Sequence, residues 1–255
     1  MNSWSRNPAA GAPVPALMES DHPVPADHLS LPERGFAVDR RKALITAGFL
    51  WAAFAAMVFA VTHALTATVD SGLLRLFRSG PDLSLAGPRL VLETVRDVTA
   101  LGGVFLRNLF ALGAVVALLF FRLRREALIL GATVVSGWIA NSALKLLVGR
   151  ERPMIVPHLT EAGGESFPSG HSFGAAVVYI GIAIAFAAMS RRQSVRYTII
   201  GAALVLSAMV AASRVVLGVH FPSDVVAGWL GGAGWAFLAA ALFYRPAESL
   251  VPPDR

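Results

Sequence analysis

The chain has 255 residues, 55% of them hydrophobic and 15% charged, with a net charge of +6 and a mean hydropathy of +0.62. Soluble domains carry about 25% charged residues, so the composition points to a membrane protein before any motif is read. With no cysteine, disulfides and thiolate metal sites are excluded. The basic residues fall mostly between apolar segments, where orientation in a bilayer explains them more simply than nucleic-acid binding.

Residues 1–39 hold six prolines and scattered acids such as Glu19, Asp21 and Asp27. They show no amphipathic period and no basic-then-apolar leader, so they read as a disordered tail. Ala43–Val69 is the first uncharged apolar run. Val98–Phe121 is the second and the weakest, because it contains Arg107 and Asn108, with Arg107 either at the outer interface or facing the bundle interior. Ala127–Leu144, Ser172–Ser190, Tyr197–Ser213 and Val225–Tyr244 carry no charge. A spanning helix needs about 20 residues, and most of these runs lack the polar face a soluble helix would show. The predicted fold is all-α: a six-transmembrane-helix bundle over 40–247, with the disordered tail before it and a short tail over 248–255.

Basic residues cluster at Arg40–Lys42, at Arg122, Arg124 and Arg125, at Arg191, Arg192 and Arg196, and at Arg245. In a six-span alternation all four places fall on one side. The positive-inside rule makes that side cytoplasmic, together with both termini. The loops near 70–97, 148–171 and 214–222 then face the periplasm or exterior. Ser71–Gly80 reads as a short amphipathic helix on that outer surface, or as a plain loop. Gly228 and Gly232, with Gly231 and Gly234, read as small residues for close helix packing.

Lys145, Arg150, Arg152, His171, Arg214, His220 and Asp224 break the apolar pattern at the outer ends of spans three to six. Charged groups at membrane depth are functional candidates by default. Lys145–Pro153 closes the third span. Its cations are either snorkelling anchors or anion ligands, and their outer position runs against the orientation bias. Phe167–Ser172 precedes the fourth span. Ser169 is a plausible N-cap, and the free N–H groups of a helix start suit an anion, with Gly170 leaving room for close approach. In Ser213–Asp224, Pro222 fits the first position of the sixth span. Asp224 lies four residues after His220, where it either orients the imidazole or complements the helix dipole.

Together these segments resemble the type 2 phosphatidic acid phosphatase family, which shares its site with vanadium-dependent haloperoxidases. Its pattern is a lysine followed after six residues by Arg-Pro (Lys145, Arg152, Pro153), then Pro-Ser-Gly-His (Pro168 to His171), then Ser-Arg, five residues, His, three residues, Asp (Ser213, Arg214, His220, Asp224). Many relatives repeat Arg-Pro in the first motif, whereas this chain reads Gly149-Arg150-Glu151-Arg152-Pro153, which gives Arg150 a secondary role. The resemblance implies His220 as nucleophile, Asp224 as its orienting carboxylate and His171 as general acid and base. It implies Lys145, Arg152, Ser169, Gly170 and Arg214 as phosphate ligands, with no metal and no cofactor.

The function expected is therefore an integral inner-membrane lipid phosphatase acting through a phosphohistidine. Its partners are membrane lipids and a lipid phosphate substrate, not nucleic acid, and its oligomeric state is left open. Undecaprenyl pyrophosphate is favoured on the family resemblance and topology together, with phosphatidylglycerophosphate and phosphatidic acid as alternatives. Two other readings stand beside it: a lipid phosphotransferase using the same site, and a non-catalytic lipid-binding or transport protein. The transporter reading is weakened by both histidines being present and by the lack of an internal repeat. His63 reads as an interfacial polar residue, and His158 as part of a solvated outer loop.

Overall fold

The computed structural model describes residues 39–243 apart from 188 and 191. The expected tails, and Arg191 and Arg245 of the basic clusters, lie outside the described residues. The chain folds as helices α1 (Arg40–Thr62), α2 (Ala67–Leu76), α3 (Arg89–Leu101), α4 (Val104–Phe120), α5 (Arg124–Val148), α6 (Gly170–Ala175), α7 (Gly181–Ala187), α8 (Gln193–Val216) and α9 (Pro222–Phe243). A wider π-helical turn, Ala176–Ile180, joins α6 to α7, so these two form one span. Five segments are long and apolar enough to cross a bilayer, and the bent pair α3–α4 makes a sixth. The protein is a multi-pass integral membrane protein.

Large apolar side chains such as Phe49, Phe105, Phe120, Leu128 and Trp138 stand exposed on the outside of the bundle. Water would not tolerate such a surface on a soluble monomer, whereas lipid does. The span Gly170–Ala187 is 72% buried and the last span 67%, against 11% for α1; these two are the inner helices, and α1 lies at the periphery. The core is built largely from alanines, among them Ala114, Ala127, Ala176, Ala233 and Ala236, because small side chains let helix backbones approach closely. Gly228 and Gly232 carry this furthest. A Cβ on Gly228 would stand 2.7 Å from the Ser169 carbonyl oxygen, and one on Gly232 would overlap that of Phe173. Interhelical hydrogen bonds add to the packing: the indoles of Trp229 and Trp235 donate to Ser207 and Ser136 at 3.0 and 3.2 Å.

Two elements differ from the sequence expectation. The second span is not one helix over 98–121 but α3 and α4, bent by 47°. Gly103 adopts an extended conformation (φ −62°, ψ 154°) as the N-cap of α4. Gly102 has no room for a side chain against Val210 and His171. The broken end is satisfied by the Tyr179 hydroxyl, which donates to the Leu101 carbonyl at 2.7 Å. The amphipathic helix expected over Ser71–Gly80 starts earlier, at Ala67, and stops at Leu76. There the chain turns into an antiparallel hairpin of β1 (Arg78–Ser79) and β2 (Ser84–Leu85). Leu74 beneath it packs with Val156, Ala211, Val215 and Val225, and Arg78 donates to the Val216 carbonyl at 2.8 Å, capping α8.

Candidate active site

The C-terminal ends of α5 and α8 and the N-terminal ends of α6 and α9 meet at one end of the bundle. Each predicted site residue sits at or beside one of these ends. The third span stops at Gly149, whose left-handed conformation (φ 59°) lets its N–H close on the Lys145 carbonyl. The chain then leaves as a loop carrying Arg150 and Arg152. At the start of α9, Asp224 reaches back to accept from the Phe221 N–H at 2.9 Å, as a carboxylate at the third helical position does in a capping box. The Ser169 N–H donates to the Asp224 carbonyl at 3.0 Å, which ties the second motif to the third.

His220 is 2% exposed and Asp224 fully buried. The Arg152 guanidinium lies 3.0 Å from His220 Nε2 and also donates to the carbonyls of Val219, Gly163 and Gly164. A guanidinium only donates, so Nε2 presents its lone pair and Nδ1 holds the proton. Nδ1 stands 3.6 Å from Asp224 Oδ2, beyond hydrogen-bond reach. Ser166 fills that gap: it lies 3.2 Å from Nδ1 and donates to Asp224 Oδ2 at 2.5 Å. The imidazole is thus tied to its carboxylate through a hydroxyl. Burial pushes the His220 pKa down to about 4; the nearby Asp224 opposes that shift, and the charges of Arg152 and Arg214 reinforce it. Burial likewise lowers Arg152 from its ordinary value.

The other predicted residues surround this pair. The Lys145 ammonium donates to the Glu165 carbonyl, and its Cε lies 3.7 Å from where a Gly170 Cβ would stand. Arg214, 3% exposed, donates to Thr99 Oγ1 at 2.9 Å, so α3 holds it in place. His171 packs on the Gly102 break. Ser169 Oγ, Ser172 Oγ and Arg214 Nε are buried without a hydrogen-bond partner, although buried polar groups are normally paired. Among the described residues no group of three or more His, Asp or Glu side chains converges on a metal position. His63 and His158 bond to the carbonyls of Phe59 and Pro153 instead, at 2.9 and 2.7 Å.

Two participants, Asp70 and Ser166, were not picked out from the sequence, and a third, Arg150, was given only a secondary part. Arg150 is more than a secondary residue. It donates to Asp224 Oδ1 at 2.6 Å, to Ser223 Oγ at 2.8 Å and to Asp70 Oδ2 at 2.9 Å, and its guanidinium lies 4.1 Å over the Phe221 ring. Asp70, on α2, also accepts from the N–H and hydroxyl of Ser223 at 2.9 and 2.6 Å, so it caps α9 from outside the motifs. Asp70 gave one usable signal, as the only acid between Asp39 and Asp82. Ser166 gave none, since a serine in a loop is unremarkable until its neighbours are known.

A buried imidazole with one unprotonated nitrogen, among fixed cations at the end of a membrane bundle, defines a membrane-embedded phosphatase. The comparisons agree with that class. The chain belongs to the PAP2 superfamily, whose family model matches residues 126–247, and is a metal-independent lipid phosphatase. It is 34% identical over 152 residues to phosphatidylglycerophosphatase B of Bacillus subtilis, covering 57% of this chain and 72% of that protein. It is 34% identical over 121 residues to lipid A 1-phosphatase of Rhizobium johnstonii, covering 44% of this chain and 45% of that one. The crystal structure of a transmembrane PAP2-type phosphatidylglycerolphosphate phosphatase from Bacillus subtilis superposes with a TM-score of 0.68 at 26% identity. That match covers 76% of this chain and 94% of the other.

Proposed function

We propose that this lipid phosphatase works through a phosphohistidine on His220 Nε2 and that its substrate is phosphatidylglycerophosphate. The observation that carries the mechanism is the His220 ring, with a lone pair on Nε2 and its other nitrogen tied through Ser166 to Asp224. Nε2 attacks phosphorus as the bond to the lipid oxygen breaks, and His171 gives its proton to the departing alkoxide. Water then attacks the phosphohistidine and loses a proton to His171, and orthophosphate leaves as the N–P bond breaks. Lys145, Arg152 and Arg214 neutralise the equatorial oxygens. The Gly170 N–H and the unpartnered Ser169 Oγ complete the cradle.

The similarity, in sequence and in structure, to phosphatidylglycerophosphate phosphatase from Bacillus subtilis supports that substrate over undecaprenyl pyrophosphate, which family and topology put first. Arg40, Arg41, Lys42, Arg122, Arg124, Arg125, Arg192 and Arg196 lie at the opposite end from the site, which supports a site facing outward and a cytoplasmic N-terminus. The test is phosphate release by the detergent-purified protein with excess EDTA, from phosphatidylglycerophosphate, undecaprenyl pyrophosphate, phosphatidic acid and a soluble phosphate ester. Acid-labile, base-stable trapping of labelled phosphate is read in parallel. Both signals are expected to vanish in His220→Ala. Label on a serine, or retained turnover in that variant, overturns the mechanism; faster release from undecaprenyl pyrophosphate overturns the substrate.

A further inference from the structure

A cavity of about 430 Å³ lies between α4, α5 and the fourth span. Its walls are apolar except for Arg107, Asn108 and Asn141, and Val104 and Trp138, 67% and 65% exposed, stand on its lipid-facing side. At its other end it reaches Gly170. Asn141 and Lys145 both lie against that glycine, at 3.5 and 3.7 Å from where its Cβ would stand. The cavity therefore runs from the lipid face to the floor of the candidate phosphate site.

Arg107 is only 8% exposed, and a side chain on Gly174 would overlap its guanidinium. Its Nη1 donates to the carbonyls of Gly102 and Gly170, both at 3.3 Å. A guanidinium has five N–H donors. The three on Nε and Nη2 meet no acceptor among the described residues, and no carboxylate there pairs with the charge. Arg78, a helix cap, leaves Nε and Nη2 sealed without a partner; Arg107 differs in that it lines the cavity and its free donors are not sealed, at membrane depth where an unbalanced charge is costly. Asn141 adds a second donor group, since its Nδ2 lies 3.5 Å from where a Gly170 Cβ would stand. A buried cation beside a cavity that opens to lipid and ends at the phosphate site is complementary to a second anion.

We propose that this cavity is a second phosphate subsite, in which Arg107, assisted by Asn141, binds the non-scissile phosphate of a lipid that carries two. The inference rests on the reading that the scissile phosphate sits among Lys145, Arg152 and Arg214. The shared chemistry is a deeper phosphate linked to the one being removed. A glycerol-linked phosphodiester, as in phosphatidylglycerophosphate, and the inner phosphate of a prenyl pyrophosphate both supply it. Phosphatidic acid does not.

The experiment compares kcat/KM for phosphatidylglycerophosphate, undecaprenyl pyrophosphate and phosphatidic acid in the wild type and in Arg107→Gln. The preference for two-phosphate lipids over phosphatidic acid is expected to fall about 10- to 100-fold, carried by KM, as befits one lost charge-assisted contact. Arg107→Lys, which keeps the charge and loses the fork, is expected to fall between. Collapse for the diester alone, or for the pyrophosphate alone, names the source. An equal loss on all three lipids makes Arg107 a brace for Gly170 and refutes the subsite, and so does an unchanged preference. A second measurement needs no variant: phosphatidylglycerol is expected to inhibit wild-type hydrolysis of phosphatidic acid more strongly than diacylglycerol does, and equal inhibition is a refutation. Failure of the parent reading looks different, because turnover by the wild type would then survive His220→Ala.

Discussion

Replacing Ser166 by alanine tests the relay that links His220 to its carboxylate. The hydroxyl lies 3.2 Å from His220 Nδ1 and donates to Asp224 Oδ2 at 2.5 Å, whereas the ring and carboxylate are 3.6 Å apart without it. Asp224 would keep its bonds from Arg150 and the Phe221 N–H, so the variant leaves no unpaired buried charge and the fold is expected to survive. What it loses is a tether whose value rises as positive charge develops on the attacking imidazole. A hydrogen bond to a charged group contributes about 1.5–3 kcal/mol. At about 1.36 kcal/mol per decade of rate, kcat is expected to fall about 10- to 150-fold. KM should change little, because the interaction strengthens on the way to the transition state. Steady-state phosphate release in detergent, beside a thermal unfolding curve, reads both quantities. A folded Ser166→Ala protein with kcat within about twofold of the wild type would refute the relay and leave the 3.6 Å approach of Asp224 to do the orienting alone.

Arg150→Ala strips the shared cation from Asp70 and Asp224. Breaking a buried pair costs about 3–5 kcal/mol, so a clear drop in the unfolding temperature is expected, only partly rescued by Arg150→Lys; an unchanged melting curve contradicts the brace. Gly228→Ala places a methyl 2.7 Å from the Ser169 carbonyl and 3.0 Å from Ser172 Cβ. Backbone cannot yield as a side-chain tip does, so a loss of about 1–3 kcal/mol with reduced turnover is expected, and wild-type stability would show that the helices can separate freely there. Burial holds the His220 pKa near 4 against 6.5 in an unfolded chain. The unfolded state therefore binds more protons between those values, and stability falls as pH drops from about 6.5 to 4. Thermal melts across that window should show a steeper acid slope in the wild type than in His220→Asn, and equal slopes would contradict a neutral buried ring.

The spans were legible because apolar length is a one-dimensional property, and four of the six need no correction beyond a few residues at their ends, whereas the first run, read to Val69, stops as a helix at Thr62. The second span was misread because the Gly102–Gly103 break is set by what packs on it, namely Val210 and His171, which lie far along the chain. The motif residues were legible for a different reason: their spacing within each segment is local, and each segment ends a helix. The braces were not. Asp70 meets Ser223 across 153 residues and Arg214 meets Thr99 across 115, and no local pattern marks either pairing. Arg107 was noticed as an anomaly, but its direction, toward Gly170 and Gly174 rather than the interface, depends on the rotation of α4.

Asp224 shows why this site and this fold are hard to separate. The carboxylate that holds the His220 relay also caps α9 through the Phe221 N–H, and its own carbonyl anchors Ser169. Arg150 joins it to Asp70, which caps the same helix from α2. Substitutions along this Asp70–Arg150–Asp224 line should therefore lower stability and activity together. His220 and His171 are different: neither terminates a helix, and each presents ring atoms that no cap requires. Loss of turnover with a preserved fold is thus expected at the histidines and at Ser166, and not along the line of the caps. Asp224 cannot be assigned a purely catalytic role from an activity loss alone, because the same atoms begin the helix that carries it.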